Sequence, residues 1–110
     1  MKFALDCCAL IRDLPAAEPG PTAQRQLAKC STGLAFNYRA SCRARSHAEF
    51  TAKTGVVVEE ADESLGWLEF IDAAELLTTQ KLPTLIAEAR ELVAIFSSSY
   101  GTARWNERHR

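Results

Sequence analysis

Apolar residues recur at intervals of three and four along most of the chain, the spacing of one face of an α-helix. The first such series is Phe3, Cys7, Leu10 and Leu14, and Pro15 stops it. After a loop rich in proline and glycine, a second series runs through Leu27, Cys30, Leu34, Tyr38 and Ser41. The pattern predicts helices over about residues 2–14 and 22–42.

A third helix is predicted to begin at Ser46. Ser46-His47-Ala48-Glu49 has the form of a capping box, in which the serine side chain accepts from the third helical amide. No proline follows before Pro83, and the core series is Phe50, Thr54, Val57, Ala61, Ser64, Leu68 and Ile71. We expect this helix to run from 46 to 77 and to be the longest of the chain.

Pro83 suits the first turn of a helix, where its missing N–H has no partner, and it predicts a fourth helix over 83–99. The serine and glycine run that follows predicts a frayed tail over residues 100–110. Four helices with short connections imply antiparallel neighbours. The pattern therefore predicts one all-α domain over residues 1–110, an up-and-down four-helix bundle.

The third predicted helix carries a second apolar set away from its core series. Its members are Val56, Val58, Leu65, Trp67 and Phe70. A monomeric bundle needs only one apolar stripe per helix, so these residues predict a subunit interface in a homo-oligomer. Gly55 and Gly66 weaken the same helix, which favours a role in close packing over a role in helix formation.

Composition argues against a general attraction to nucleic acid or membranes. The formal net charge is −1, and Asp6 and Arg12 interrupt the apolar amino-terminal stretch. We expect neither a signal peptide nor a membrane span. We therefore expect the protein to be cytoplasmic. Its four cysteines, Cys7, Cys8, Cys30 and Cys42, form no Cys-x-x-Cys pair, and we interpret them as reduced thiols packed as small apolar residues.

Charge is nevertheless polarised along the chain. Residues 22–53 hold six basic side chains against one acid, and residues 59–75 hold seven acids and no base. One interpretation is ion pairing between the second and third helices, either within a chain or between subunits. A turn near residue 44 would make level the pairs Arg25–Glu63, Lys29–Glu59 and Arg39–Glu49. The alternative is an RNA-binding or partner-binding patch at the end of the second helix, formed by Tyr38, Arg39, Arg43 and Arg45.

Catalytic arrangements are incomplete in this sequence. A dimetal site in a helical bundle uses Glu-x-x-His on two helices, and neither His47 nor His109 has an acid three residues before it. The chain has no Gly-x-Ser-x-Gly elbow and no cysteine at a recognisable spacing from a histidine. We expect no enzyme, no metal and no cofactor; a thiol or metal enzyme is the third alternative.

Several segments are similar to one known family. They are residues 31–40 (STGLAFNYRA), 42–46 (CRARS), Glu49-Phe50 and 59–69 (EEADESLGWLE). From about residue 23 to 99 the chain resembles the bacterial four-helix bundle proteins, also called ribosomal RNA intervening-sequence proteins. Phe36 stands where that pattern has a small residue, and Gly66 where it has an aromatic one.

The resemblance implies a left-handed up-and-down bundle, commonly a homopentamer, with no established catalytic activity. Some members of that family are encoded inside intervening sequences of large-subunit ribosomal RNA genes. Related basic bundles assist the reverse transcriptases of diversity-generating retroelements by binding RNA. The resemblance therefore implies self-association, with RNA or a protein as a further partner.

Overall fold

The computed structural model describes residues 1–109 as four α-helices, one 3-10 turn and no strand. Helix α1 spans Lys2–Leu10 and continues as the 3-10 turn Ile11–Asp13; α2 spans Gly20–Cys42, α3 His47–Ala73 and α4 Lys81–Arg108. Each helix packs on the next, and α1 also contacts α4. The chain is thus an all-α four-helix bundle measuring 51 × 21 × 20 Å, as predicted.

The core contains side chains from all four helices. Its largest fully buried aliphatic members are Leu27, Val57, Leu68, Ile71 and Leu82. Burying such a side chain stabilises the fold by about 1.5–3 kcal/mol. The core series predicted for the first three helices is mostly confirmed, although Tyr38 remains half exposed, at 50%. Within residues 1–109, no helix has the length and apolarity needed to cross a lipid bilayer.

Helix α3 begins as predicted and ends earlier than predicted. The Ser46 side chain accepts from the Glu49 amide at 3.0 Å, so the serine half of the capping box forms. At the other end, the amides of Glu75 and Leu76 donate to the carbonyls of Asp72 and Ile71. These two bonds form a Schellman motif, with Glu75 in the left-handed region at φ 53°. The predicted end at residue 77 is wrong.

Helix α4 continues far beyond the predicted end at residue 99. With 28 residues it is one residue longer than α3, so the prediction that the third helix is the longest is wrong. Ala103 is buried, and its carbonyl lies 3.0 Å from the His47 imidazole Nε2. The first turns of α3 thus give the end of α4 a packing surface, and the helix continues through residues 100–108, where a frayed tail was predicted. Arg110 lies outside the described residues.

Candidate interaction surfaces

The five residues of the predicted α3 interface do not share one surface. Val56 and Phe70 are exposed, at 37% and 41%. Trp67 is half-buried and packs against the core, and its ring meets Phe70 edge-on at 5.3 Å between centroids. Leu65 also packs against the core, and Val58 is half-buried. Val56 and Phe70 are therefore the members that a single chain leaves most open.

The two glycines of α3 have different surroundings. A Cβ added at Gly55 would lie 3.1 Å from the Tyr100 ring, so this glycine permits close contact between α3 and α4 as predicted. A Cβ added at Gly66 would meet nothing within 4 Å. Gly66 is exposed, and nothing in the chain itself explains a glycine in this helical position.

Within one chain, the three predicted ion pairs between α2 and α3 do not form. Within residues 1–109, the ion pairs are Lys2–Asp6, Arg45–Glu49 and Arg90–Glu69. The cause is the register of the two helices. Gly33 lies against the Glu60 carboxylate, and Ser64 is close enough to Cys30 to influence the pKa of its thiol. These contacts lie about five or six residues further along α3 than the predicted register. Bases and acids that were expected to meet are thus more than one turn apart.

The Glu60 carboxylate occupies the space that Gly33 leaves. A Cβ at Gly33 would lie 2.9 Å from the Glu60 carboxyl carbon. Partial burial raises the pKa of Glu60, repulsion from Glu63 and Glu59 adds to that effect, and Lys29 opposes it. The contact between α2 and α3 therefore holds a carboxylate that is less well solvated than in water.

The predicted basic patch lies at one end of the bundle. Tyr38 contacts Phe96 at 5.5 Å between ring centroids, and a hydrogen bond with Cys42 raises the pKa of Tyr38. Arg39 is exposed in the last turn of α2, and Arg43 caps that helix. The Arg45 side chain is 91% exposed and lies 3.8 Å from the Glu49 carboxylate.

Helix α4 brings further basic residues to the same end. The contact between His47 and Ala103 places the last turns of α4 beside the start of α3. Arg104 lies 5.6 Å from the centroid of the Tyr100 ring, and Arg108 occupies the last turn. Neither arginine was predicted as part of the patch, because the serine and glycine run before them indicates a frayed tail. The basic end of the bundle thus has two contributions, from α2 with the following loop and from α4.

The cysteines fall into two classes. Cys7 and Cys30 lie in the core, and burial raises the pKa of both thiols. Cys42 is exposed at the end of α2, and Cys8 is half-buried. In the part of the chain that the structure describes, His, Cys, Asp and Glu side chains form no group of three or more that could hold a metal ion.

Comparison with known proteins yields a structural likeness only. The sequence matches neither a model of a protein family nor a curated protein. The fold is similar to the crystal structure of a protein of unknown function, from the S23 ribosomal protein family, of Bacteroides thetaiotaomicron. The TM-score is 0.80, with 23% identity, over 90% of this chain and 92% of that chain. At this identity the likeness shows that the two chains share a helical fold.

Proposed function

We propose that this protein is a non-enzymatic helical bundle that assembles with copies of itself and acts as a scaffold or interaction protein. The observation that carries the proposal is the outer side of α3, where Val56 and Phe70 are exposed on either side of the open Gly66. Exposed large apolar residues along one helix face are typical of an interface. The likeness to an S23 family protein supports the bundle fold. We further propose that the chain is an intervening-sequence bundle, as the sequence resemblance implies, and that it forms a homopentamer in the cytoplasm.

Light scattering coupled to size exclusion tests self-assembly. We expect a species several times the 12.1 kDa mass of one chain at micromolar concentration. Phe70→Asp should reduce the mass towards that of one chain, because it puts a charge into the apolar contact. Leu5→Asp is the matched control: Leu5 is also exposed, at 63%, but lies on α1. A wild-type protein that stays monomeric would contradict the proposal.

A second candidate function is RNA binding at the basic end of the bundle. It is favoured by the position of Arg104 and Arg108, which join Arg43 and Arg45 at the end where α3 begins. Tyr38 and Trp105 are exposed there, at 50% and 56%, and aromatic rings stack on unpaired bases. Repetition of the site around an oligomer would multiply its charge.

Titration with single-stranded RNA at two salt concentrations tests this candidate. Phosphate contacts predict an affinity that falls steeply between about 50 and about 200 mM salt. Replacing Arg104 and Arg108 by Ala should lower the salt slope by about one for each arginine that binds a phosphate in the wild-type protein. Arg12→Ala, at the other end of the bundle, should leave the slope unchanged. Failure to detect binding at the lower salt concentration would exclude RNA as the ligand.

A further inference from the structure

The outward sides of α2 and α3 carry opposite charges that form no ion pair across the two helices among residues 1–109. Helix α2 contains the bases Arg25, Lys29 and Arg39 and no acid, whereas α3 from residue 54 onward contains six acids and no base. Of the ion pairs within residues 1–109, none joins these two helices. Two neighbouring faces of opposite sign are thus available to another molecule.

The basic face is a regular stripe on the side of α2 opposite the core. Its positions follow one another at four and three residues, which keeps them on one face through every turn. Phe36, exposed at 57%, stands near its middle. We call it the α2 stripe, and its members are Arg25, Lys29, Thr32, Phe36, Arg39 and Arg43.

The acidic face is the corresponding stripe of α3, again opposite the core series of its helix. It has the same spacing and combines two acids with two large apolar residues. Gly66 lies within it, and the open space beside this glycine leaves room for a side chain from outside. We call it the α3 stripe, and its members are Ala52, Val56, Glu59, Glu63, Gly66 and Phe70.

We infer that the α2 stripe of one copy docks on the α3 stripe of a second copy, a head-to-tail contact that continues from copy to copy. The inference rests on the self-assembly proposed above and deepens it by naming the two surfaces. Contact between like stripes would place bases against bases or acids against acids, which is repulsive. Contact between unlike stripes places bases against acids and joins the apolar residues of both.

Rotational symmetry determines which residues meet. When copies are related by rotation about an axis parallel to the helices, each keeps its height along that axis. The α2 of one copy is then antiparallel to the α3 of the next, in the register seen within one chain, where Gly33 is level with Glu60. This register brings Phe36 to Val56 and Lys29 to Glu63. An aromatic residue thus meets an aliphatic one, and a base meets an acid.

The positions of the two stripes also suggest a ring size. Helices α2 and α3 are neighbours in the bundle, so their outward sides diverge by roughly 90°, as at adjacent corners of a square. Head-to-tail contacts at such an angle close into a ring of about four or five copies. The ring would bury the α2 and α3 stripes of every chain, including Arg39 and Arg43, and would leave Arg45, Arg104 and Arg108 exposed at the basic end.

Charge reversal on each stripe tests the arrangement. The α2-reversed variant carries Arg25→Glu and Lys29→Glu, and the α3-reversed variant carries Glu59→Lys and Glu63→Lys. Each should remain helical by circular dichroism and should associate with itself more than about tenfold more weakly than wild type, because like charges face each other. Mixing the two variants should restore the contacts between unlike variants, so native mass spectrometry should show mixed oligomers in which the two variants alternate. A ring with an even number of copies closes fully, whereas a ring of five retains one repulsive contact between like variants.

Substitutions at glycine supply a matched control for crowding. Gly66 and Gly101 are both helical, and an added Cβ meets nothing within 4 Å at either position. Gly66→Leu should block assembly because the leucine side chain would occupy the space into which a side chain of the neighbouring copy packs. Gly101→Leu, on α4, should assemble as wild type does.

The outcomes separate this inference from the proposal on which it rests. A monomeric wild-type protein overturns both. A wild-type oligomer whose mass is unchanged by charge reversal and by Gly66→Leu shows that assembly uses other surfaces, and it overturns only the inference. Reversed variants that fold, stay monomeric and do not combine on mixing also overturn the head-to-tail arrangement.

Discussion

The position of the Glu60 carboxylate depends on the absence of a side chain at Gly33. The missing Cβ of Gly33 lets the Glu60 carboxylate lie against α2, where it loses part of its hydration. Its pKa is therefore raised above the ordinary 4.5. An acid with a raised folded-state pKa favours folding while it is protonated, and this contribution is lost as the pH rises through that pKa.

Glu60→Gln should accordingly stabilise the protein at neutral pH. The amide cannot ionise, so the variant avoids the loss of hydration and the repulsion from Glu63. Urea unfolding at pH 7 should show a higher midpoint than wild type, and the difference should shrink as the pH falls through the raised pKa towards 4.5. Glu91→Gln, at an exposed position on α4, is the control and should show little difference at either pH. A gain for Glu60→Gln that is independent of pH would contradict this account.

At the scale of single helices, the spacing of apolar residues at three and four predicted the number of helices correctly. It predicted the residues at which the helices end less well. Glu75 shows why. A Schellman motif usually has glycine at the left-handed position, and that glycine is the signal by which a helix end is recognised. Here Glu75 holds that position with φ 53°, so the sequence has no marker for the end of α3.

Glu75→Gly should therefore stabilise the fold. Glycine adopts the left-handed conformation without the steric cost that a side chain incurs there, and the expected gain is about 1 kcal/mol in the free energy of unfolding. Glu91→Gly, in the middle of α4, should instead lose about 1 kcal/mol because glycine weakens a helix interior. Chemical denaturation of both variants measures the two effects. Equal destabilisation would contradict the helix end described here.

The end of α4 depends on a neighbour distant in sequence, which is why local composition could not predict it. The run from Ser97 to Gly101 is a weak helix former by itself. In the fold it lies against the first turns of α3, where Gly55 admits Tyr100 and His47 binds the Ala103 carbonyl. The same long-range packing brings Arg104 and Arg108 to the basic end, so half of that candidate site was invisible from the sequence.

Ala103→Glu tests whether this segment is packed in solution. Ala103 is 4% exposed, so a carboxylate there would have to be buried or would displace α4 from α3. We expect a loss of about 2 kcal/mol or more in the free energy of unfolding. Thr102→Glu changes the adjacent, exposed position and should stay within about 0.5 kcal/mol of wild type. Equal effects of the two substitutions would indicate a frayed tail.

At the scale of the whole molecule, the bases of α2 and the acids of α3 were expected to pair within one chain. Because they do not, they are available for contacts between molecules. The polarised charge and the extra apolar residues of α3 are visible in the sequence, but the register of α2 against α3 is set by packing that the sequence pattern does not specify. The observed register leaves Lys29 and Glu63 without an ion-pair partner among residues 1–109. A monomer of this shape would expose opposite charges and apolar side chains on adjacent faces, which favours association.

Association of folded chains should also be visible in thermal unfolding. A contact made only by the folded state stabilises it in proportion to the logarithm of protein concentration. For a domain of this size, each tenfold increase in concentration should raise the unfolding midpoint by about 4–8 °C. Phe70→Asp should remove the dependence, because it places a charge in the contact, whereas Leu5→Asp should retain it. Differential scanning calorimetry over a roughly hundredfold range of concentration measures this, and a wild-type midpoint that does not move would contradict self-assembly independently of any size measurement.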